Sequence, residues 1–423
     1  MGAPKSQSQG GPARVLGNRN FRLLWLGSFS SAAGYSVGAI ALQWYLYSTT
    51  HSPEVIGTLA IVEFLPTLLF GLYAGVLVDR FSRKSIMVSA DAARTGILIL
   101  LAFYVLVHGL NTLVVLAGVG AVTTFTAFFR PASQALLPTL IAERDLPDAN
   151  GILQAGGTTS SLVGYSVGGT LVATMGIVAA LALDSVSFAI SAILLLALFL
   201  PPSAVPSPSQ AESSRDKGGG ILAGFRYLRG NRALFLMMLA GGVGSFLFPI
   251  WDTYMVVYVM SGLHEGAFSL GIVFGVSVFS AGLGALASGR LPTQKRPGIW
   301  AGMAWGSSGI GIGALALLPP LPVVLALVAM STFVGQLGYT AWLTGVQRTT
   351  PNHLLGRVLT TETTLSWGLF PVAQIMGAYL LLTIGIPLTY LLVGIDMAAG
   401  GFVLLTSKAV WEWGKEGLDY PTD

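Results

Sequence analysis

Six carboxylates and one arginine stand inside long apolar stretches of this chain: Glu63, Asp91, Asp184, Asp252, Glu362 and Asp396, with Arg94 three residues after Asp91. An ionisable group in such a stretch is costly to bury and marks a path for protons, ions or charged substrate. Glu63 precedes Pro66 by three residues and suits a proton-coupling carboxylate or a counter-charge for a cationic compound. The competing reading is a protonated or hydrogen-bonded packing residue. Asp91 and Arg94, at i and i+3, face one another on a helix and read as a structural or gating ion pair. Asp252 follows Trp251, and an acid beside an aromatic ring suits a lipophilic cation. Tyr35, Gln43, Trp44, Trp251, Tyr254, Gln336 and Tyr339 add polar and aromatic groups for a large amphipathic ligand, although aromatic residues in such stretches also serve as packing and interface anchors.

Other chemistries are excluded. The chain has no cysteine, which removes disulfides, thiol catalysis and thiolate metal sites. Its four histidines (His51, His108, His264, His353) lack ligand spacing, so no metal site is expected. No P-loop is present, so ATP is not a direct energy source, and no cofactor is called for. An intramembrane enzyme needs converging His, Asp, Ser or Cys groups, and a receptor needs a larger outer segment. The sequence supplies neither.

The elements that must position these groups are membrane spans. Of 423 residues 53% are hydrophobic and only 9% charged, with a mean hydropathy of +0.73. Soluble domains carry about 25% charged residues, so the solvent for most of this chain is lipid. Runs of about 20 apolar residues predict twelve spans: 22–48, 54–78, 86–107, 111–129, 149–174, 177–200, 232–260, 268–289, 298–318, 322–346, 357–383 and 387–408. With the N-terminus inside, every Lys and Arg except Arg94 falls in an inner segment. The positive-inside rule then places both termini in the cytoplasm of a cell (plasma or inner) membrane. The polar, basic first twenty residues are not expected to act as a cleavable signal.

The pattern divides into an N-terminal tail (1–21), a six-helix bundle (22–200), a cytoplasmic linker (201–230), a second six-helix bundle (231–410) and a C-terminal tail (411–423). The linker is rich in Pro, Ser and Gly, and its last part places Leu222, Phe225 and Leu228 opposite Arg226 and Arg229, which predicts a short interfacial helix. Gly17-Asn18-Arg19 recurs as Gly230-Asn231-Arg232, Gly75-x-Leu77 as Gly289-x-Leu291, and Gly169 as Gly377, at nearly constant offset. Such repeats predict two pseudo-symmetric bundles with a substrate site between them.

At the second loop the sequence reads Gly75-Val-Leu77-Val-Asp79-Arg80-Phe-Ser82-Arg83-Lys84. This resembles the G-x-L-x-D-R-x-x-R-K loop of the major facilitator superfamily, which joins the second and third helices. Asn20-Phe21-Arg22 with Trp25, Glu63-Phe-Leu-Pro66, Phe129-Arg130-Pro131, Asp184-Ser-Val-Ser187-Phe188 and Gly356-Arg357-Val358 resemble the drug-export branch that contains macrolide and siderophore exporters. The resemblance implies a cytoplasmic gate at Gly75, Asp79, Arg80, Arg83 and Lys84, supported by Asp91, Arg94, Arg357 and Glu362. It implies a structural role for Asp184 and a peripheral one for Asp396. The second copy has Thr293 in place of the acid, so its latch is weaker. In the fifth span Gly164-Tyr165-Ser-Val-Gly168-Gly169 keeps a small-residue packing face but has tyrosine where drug antiporters carry a kinking proline, and the fourth span lacks their arginine.

The reading that results is an all-α secondary transporter, not an enzyme. It is expected to act as a monomer that exports a hydrophobic or amphipathic drug-like or siderophore-like small molecule by alternating access, with protons as coupling ion and the bilayer as surroundings. No nucleic acid partner is expected. A lipid or lysolipid flippase of the same fold is the alternative.

Overall fold

The computed structural model describes residues 11–199, 220–243 and 246–413, and these are helical throughout, with no strand among them. Nine stretches among them are long and apolar enough to cross a membrane. One of these, Glu143–Leu196, is about 80 Å long at 1.5 Å per residue, far more than a bilayer core of about 30 Å. It is two helices meeting at Gly176, whose φ of 79° and ψ of −178° no L residue adopts comfortably. Two further spans, the seventh and the ninth, are short or broken and complete a set of twelve.

The first four spans are α1 (Arg19–Thr50), α2 (Pro53–Arg80), α3 (Arg83–His108) and α4 (Thr112–Leu140). The pair around Gly176 forms α5 (146–175) and α6 (177–196). An amphipathic helix, α7 (Gly220–Gly230), occupies the end of the linker as expected; Leu228 is buried while Arg226 and Arg229 are exposed. The remaining helices are α8 (Arg232–Val243), α9 (Phe248–Thr253), α10 (Ala267–Ser288), α11 (Pro297–Ala314), α12 (Leu321–Thr349), α13 (Asn352–Trp367), α14 (Phe370–Thr383) and α15 (Gly385–Leu404).

Three spans depart from the expected outline. The fourth does not stop at Phe129 but continues through Pro131 and Pro138 to Leu140, so Arg130 sits on an exposed helical turn rather than in a loop. The seventh is not continuous: α8 ends at Val243 and α9 begins at Phe248. The backbone N–H of Leu247 at this break is met by the Asp396 carboxylate of α15 at 2.9 Å. The eleventh breaks at Gly368-Leu369 between α13 and α14, just before Pro371.

Helix caps repeat as the sequence does. Asn18 accepts the N–H of Phe21 at 3.1 Å, and Asn231 accepts that of Leu234 at 3.1 Å. The recurring Gly-Asn-Arg tripeptide therefore ends one helix (a short one, Pro12–Gly17, in the first place and α7 in the second) and caps the next.

The described residues form two compact units. One contains 11–42 and 62–199; the other contains 43–61 and 220–413. The turn from the first span to the second thus groups with the C-terminal helices, although its flanks belong to the first unit. Within that second unit, Tyr47 hydrogen-bonds Ser261 through its hydroxyl at 2.7 Å.

Glycine sets the packing of both units, because lipid gives helices no hydrophobic reason to associate and close backbone approach supplies the contact instead. In the first unit Gly168 of α5 lies against Val37 of α1, where a Cβ would stand 2.9 Å from the Val37 Cα, and Gly164 abuts the Ala33 carbonyl one turn away. In the second, α11 and α15 meet through Gly302, Gly306, Gly309 and Gly313 on one side and Gly394 and Gly401 on the other. A Cβ at Gly394 would stand 2.7 Å from the Gly309 carbonyl oxygen. Gly394→Val is expected to destabilise the protein by about 1–3 kcal/mol through overpacking. Thermal denaturation of the purified protein followed by size-exclusion chromatography checks this, and an unchanged midpoint would contradict the packing account.

Candidate functional site

Burying a guanidinium requires partners on every side. Arg94 on α3 is 3% exposed. It pairs with Asp91 one turn earlier, as its spacing predicts. Its guanidinium carbon lies 4.6 Å from the ring centre of Phe129 on α4 and 4.2 Å from that of Phe188 on α6. One terminal nitrogen reaches the Thr126 hydroxyl at 3.5 Å. The second acid in its field is Asp184 of α6, 4% exposed. Sequence spacing gives no hint of this partnership, because 90 residues separate Asp184 from Arg94.

Local packing fixes Asp184. Its carboxylate fits against Gly34 and Gly38 of α1; a side chain at Gly38 would collide with it, and one at Gly34 with the neighbouring Ser187. Ser30 of α1 donates to the Ser187 carbonyl at 3.1 Å, and Ser185 donates to the Thr95 carbonyl of α3 at 3.2 Å. Tyr35, half-buried on α1, lies within electrostatic reach of Glu63, Asp184 and Tyr165. Glu63 itself is half-buried on α2. The first unit therefore gathers Glu63, Tyr35, Tyr165, Asp184, Arg94 and Asp91 on adjoining helices.

The basic end of this unit has a different chemistry. Lys84 donates to the carbonyls of Leu196 at 2.8 Å and Leu198 at 2.7 Å, and Arg83 donates to the Ala135 carbonyl at 2.9 Å. The Leu196 and Leu198 carbonyls lie at the C-terminal end of α6, where carbonyls carry partial negative charge and lack intrahelical donors, while Ala135 lies within the last two turns of α4. Arg80 is exposed. Gly75 lies within α2, and the side chains of Asp79 and Thr293 are outside the described residues. Gly169 is buried beside Gly168.

The second unit encloses a cavity of about 490 Å³. Trp251, Trp305, Trp342, Trp367 and Tyr339 supply its aromatic walls, and Gln336 its amide. Glu362 of α13 is the sole carboxylate among the lining residues. Ser366, one turn on, donates to it at 3.0 Å and holds its orientation. Sequence reasoning grouped Glu362 with Arg357 at the gate; the structure also sets it in the cavity wall, while Arg357 is half-buried a turn and a half earlier on α13. Trp305, Trp342 and Trp367 gave no separate signal, being three tryptophans in spans where such residues usually pack.

Several expected site residues lie apart from this cavity. Asp252 does not line it, although it follows Trp251 directly. Tyr254 is fully buried, donates to the Gln374 carbonyl at 2.5 Å and abuts Gly57 of α2. Gln43 and Trp44 are half-buried on α1, in the segment that groups with the second unit.

Twelve helical spans with charge buried in one unit and an aromatic cavity in the other define a membrane transport protein. The chain belongs to the Major Facilitator Superfamily, whose sequence profile matches residues 24–369. It is 26% identical over 399 residues to the multidrug efflux pump Tap of Mycobacterium tuberculosis, covering 92% of this chain and 94% of the relative. It is 28% identical over 306 residues to macrolide efflux protein A of Streptococcus pyogenes, covering 64% and 73% respectively. The fold resembles that of the nucleoside transporter NupG, with a TM-score of 0.70 at 14% identity over 92% of this chain and 99% of that one. A peptide transporter, POT, matches with a TM-score of 0.68 at 14% identity, covering 94% and 98%. The protein is thus a multi-pass membrane transporter and not an enzyme.

The basic run offers a test of its structural share. Lys84→Met removes two charge-assisted bonds and is expected to lower stability by about 1–3 kcal/mol, whereas Arg80→Met should change it by less than about 0.5 kcal/mol. Denaturation midpoints of the two purified variants check the difference, and equal midpoints would refute it.

Proposed function

We propose that the protein exports lipophilic, cationic small molecules in exchange for protons, by alternating access, across a cell membrane in which both termini face the cytoplasm. The observation that carries this reading is the cavity in the second unit. Its volume lies in the range of drug-sized sites, and its walls are aromatic around a single carboxylate. Aromatic faces attract a cation through their quadrupole, most strongly where water is scarce. Glu362 then serves as counter-charge, fixed by Ser366, while Tyr339 and Gln336 add polar contacts. Relatives described as multidrug and macrolide efflux proteins support the direction and the broad substrate class. Glu63 in the first unit supports proton coupling, since a half-buried acid among titratable neighbours can take up and release a proton as the protein cycles. The protein works as a monomer in this reading, because both the cavity and the buried charges are built from one chain.

Reconstituted protein, loaded with ethidium as a permanently cationic probe, tests the proposal. An imposed proton gradient should drive ethidium transport. Glu362→Gln should lower that transport about tenfold, corresponding to a loss of about 1.4 kcal/mol of interaction. Glu63→Gln should retain ethidium exchange but lose the response to the gradient. Ethidium transport that ignores both the gradient and the Glu362 substitution would refute the reading. Gradient-independent movement of a fluorescent lysolipid in the same vesicles would favour a flippase instead.

A further inference from the structure

Two acids share one cation in the interior of the first unit. Asp91 and Asp184 are 0% and 4% exposed, and Arg94 between them is 3% exposed. With every group ionised, the cluster would carry an uncompensated negative charge where water is excluded. A buried unpaired charge is among the most expensive arrangements a protein can hold, and a group so placed neutralises instead.

The geometry shows which acid is short of partners. Asp91 bonds Arg94 directly through one oxygen. Asp184 makes no ion pair with Arg94; one of its oxygens, Oδ1, has no hydrogen-bond partner among the described residues. The Asp91 Oδ2 atom is similarly unmatched, and the Ser191 hydroxyl stands beside Asp91 without hydrogen-bond geometry. Ser187, whose hydroxyl donates to the Asp184 carbonyl at 2.7 Å, stands beside the Asp184 carboxylate. The ionisable groups in the electrostatic field of Asp184 are Arg94 of α3 and Tyr35 of α1; Arg94 is shared with Asp91, and Tyr35 also meets Glu63 of α2 and Tyr165 of α5. From α4 the cluster receives Thr126 and Phe129, neither ionisable near neutral pH.

We propose that Asp184 is a proton-binding site, its carboxyl holding one exchangeable proton beside the buried Asp91–Arg94 pair. Asp91 stays ionised against Arg94, and the cluster is neutral when Asp184 is protonated. Loss of the proton leaves Asp184 and Asp91 competing for Arg94. Use of this proton to drive export rests on the antiport reading above; the existence of the site does not.

Infrared difference spectroscopy of the intact protein in lipid reads the proton directly, without any transported ligand. The wild type should show a protonated carboxyl C=O band that is lost as pH is raised and shifts in deuterium oxide. Asp184→Asn should lose this band, and Glu63→Gln should keep it. Arg94→Gln should raise the band intensity about twofold, because both acids then lack a cation. If Asp184→Asn does not fold, Asp184→Glu decides the matter by shifting the band frequency while the pH response remains. A band unchanged in both Asp184 variants, or lost in Glu63→Gln alone, would overturn the proposal. A titrating Asp184 band together with gradient-independent ethidium transport would leave the site standing and remove the antiport reading. Gradient-driven transport with an unaffected band would do the reverse.

Discussion

A polar group inside a bilayer has no water to fall back on, and each one must find its answer within the chain. This requirement orders most of what the structure shows. Lys84 answers carbonyls that the end of α6 cannot satisfy. Asn18 and Asn231 answer the opposite ends. Arg94, too costly to leave alone, draws in an acid, two aromatic faces and a hydroxyl. Glycine stripes are the apolar counterpart: where burial gives no drive, backbone surfaces are brought close enough for dispersion to act.

The same requirement separates the two units. The first concentrates buried ionisable groups along α1, α2, α3 and α6, held by serine and glycine contacts that leave little room for change. The second concentrates aromatic surface around a cavity and keeps one acid in its wall. Buried charge and the aromatic cavity thus occupy different units of the chain.

Much of this is legible in the sequence, and the exceptions have physical reasons. Spans show because twenty apolar residues have few other uses, and the Gly-Asn-Arg repeats show because a cap needs a particular side chain at a particular place. The Asp91–Arg94 pair shows because it lies within one helical turn. Asp184 does not, since its meeting with Arg94 depends on how α6 packs against α3. The extension of α4 past Phe129 is hidden because Arg130-Pro131 has the look of a stop signal, and the breaks in the seventh and eleventh spans are hidden within runs as apolar as continuous ones. The cavity tryptophans lie in different spans, and nothing local distinguishes a wall from a packing contact.

The bond between Asp396 and the N–H of Leu247 has a consequence for how the protein is made. The break in the seventh span is satisfied by a side chain from the twelfth, 149 residues later in the chain. During synthesis the earlier span therefore enters the membrane with that N–H unanswered by its final partner. The last helix closes a gap that has stood open while four others were inserted. A chain cut short before Asp396 loses more than one helix: it also leaves the N–H of Leu247 without this acceptor. The seventh span thus receives its final hydrogen-bond partner only when the twelfth has been made.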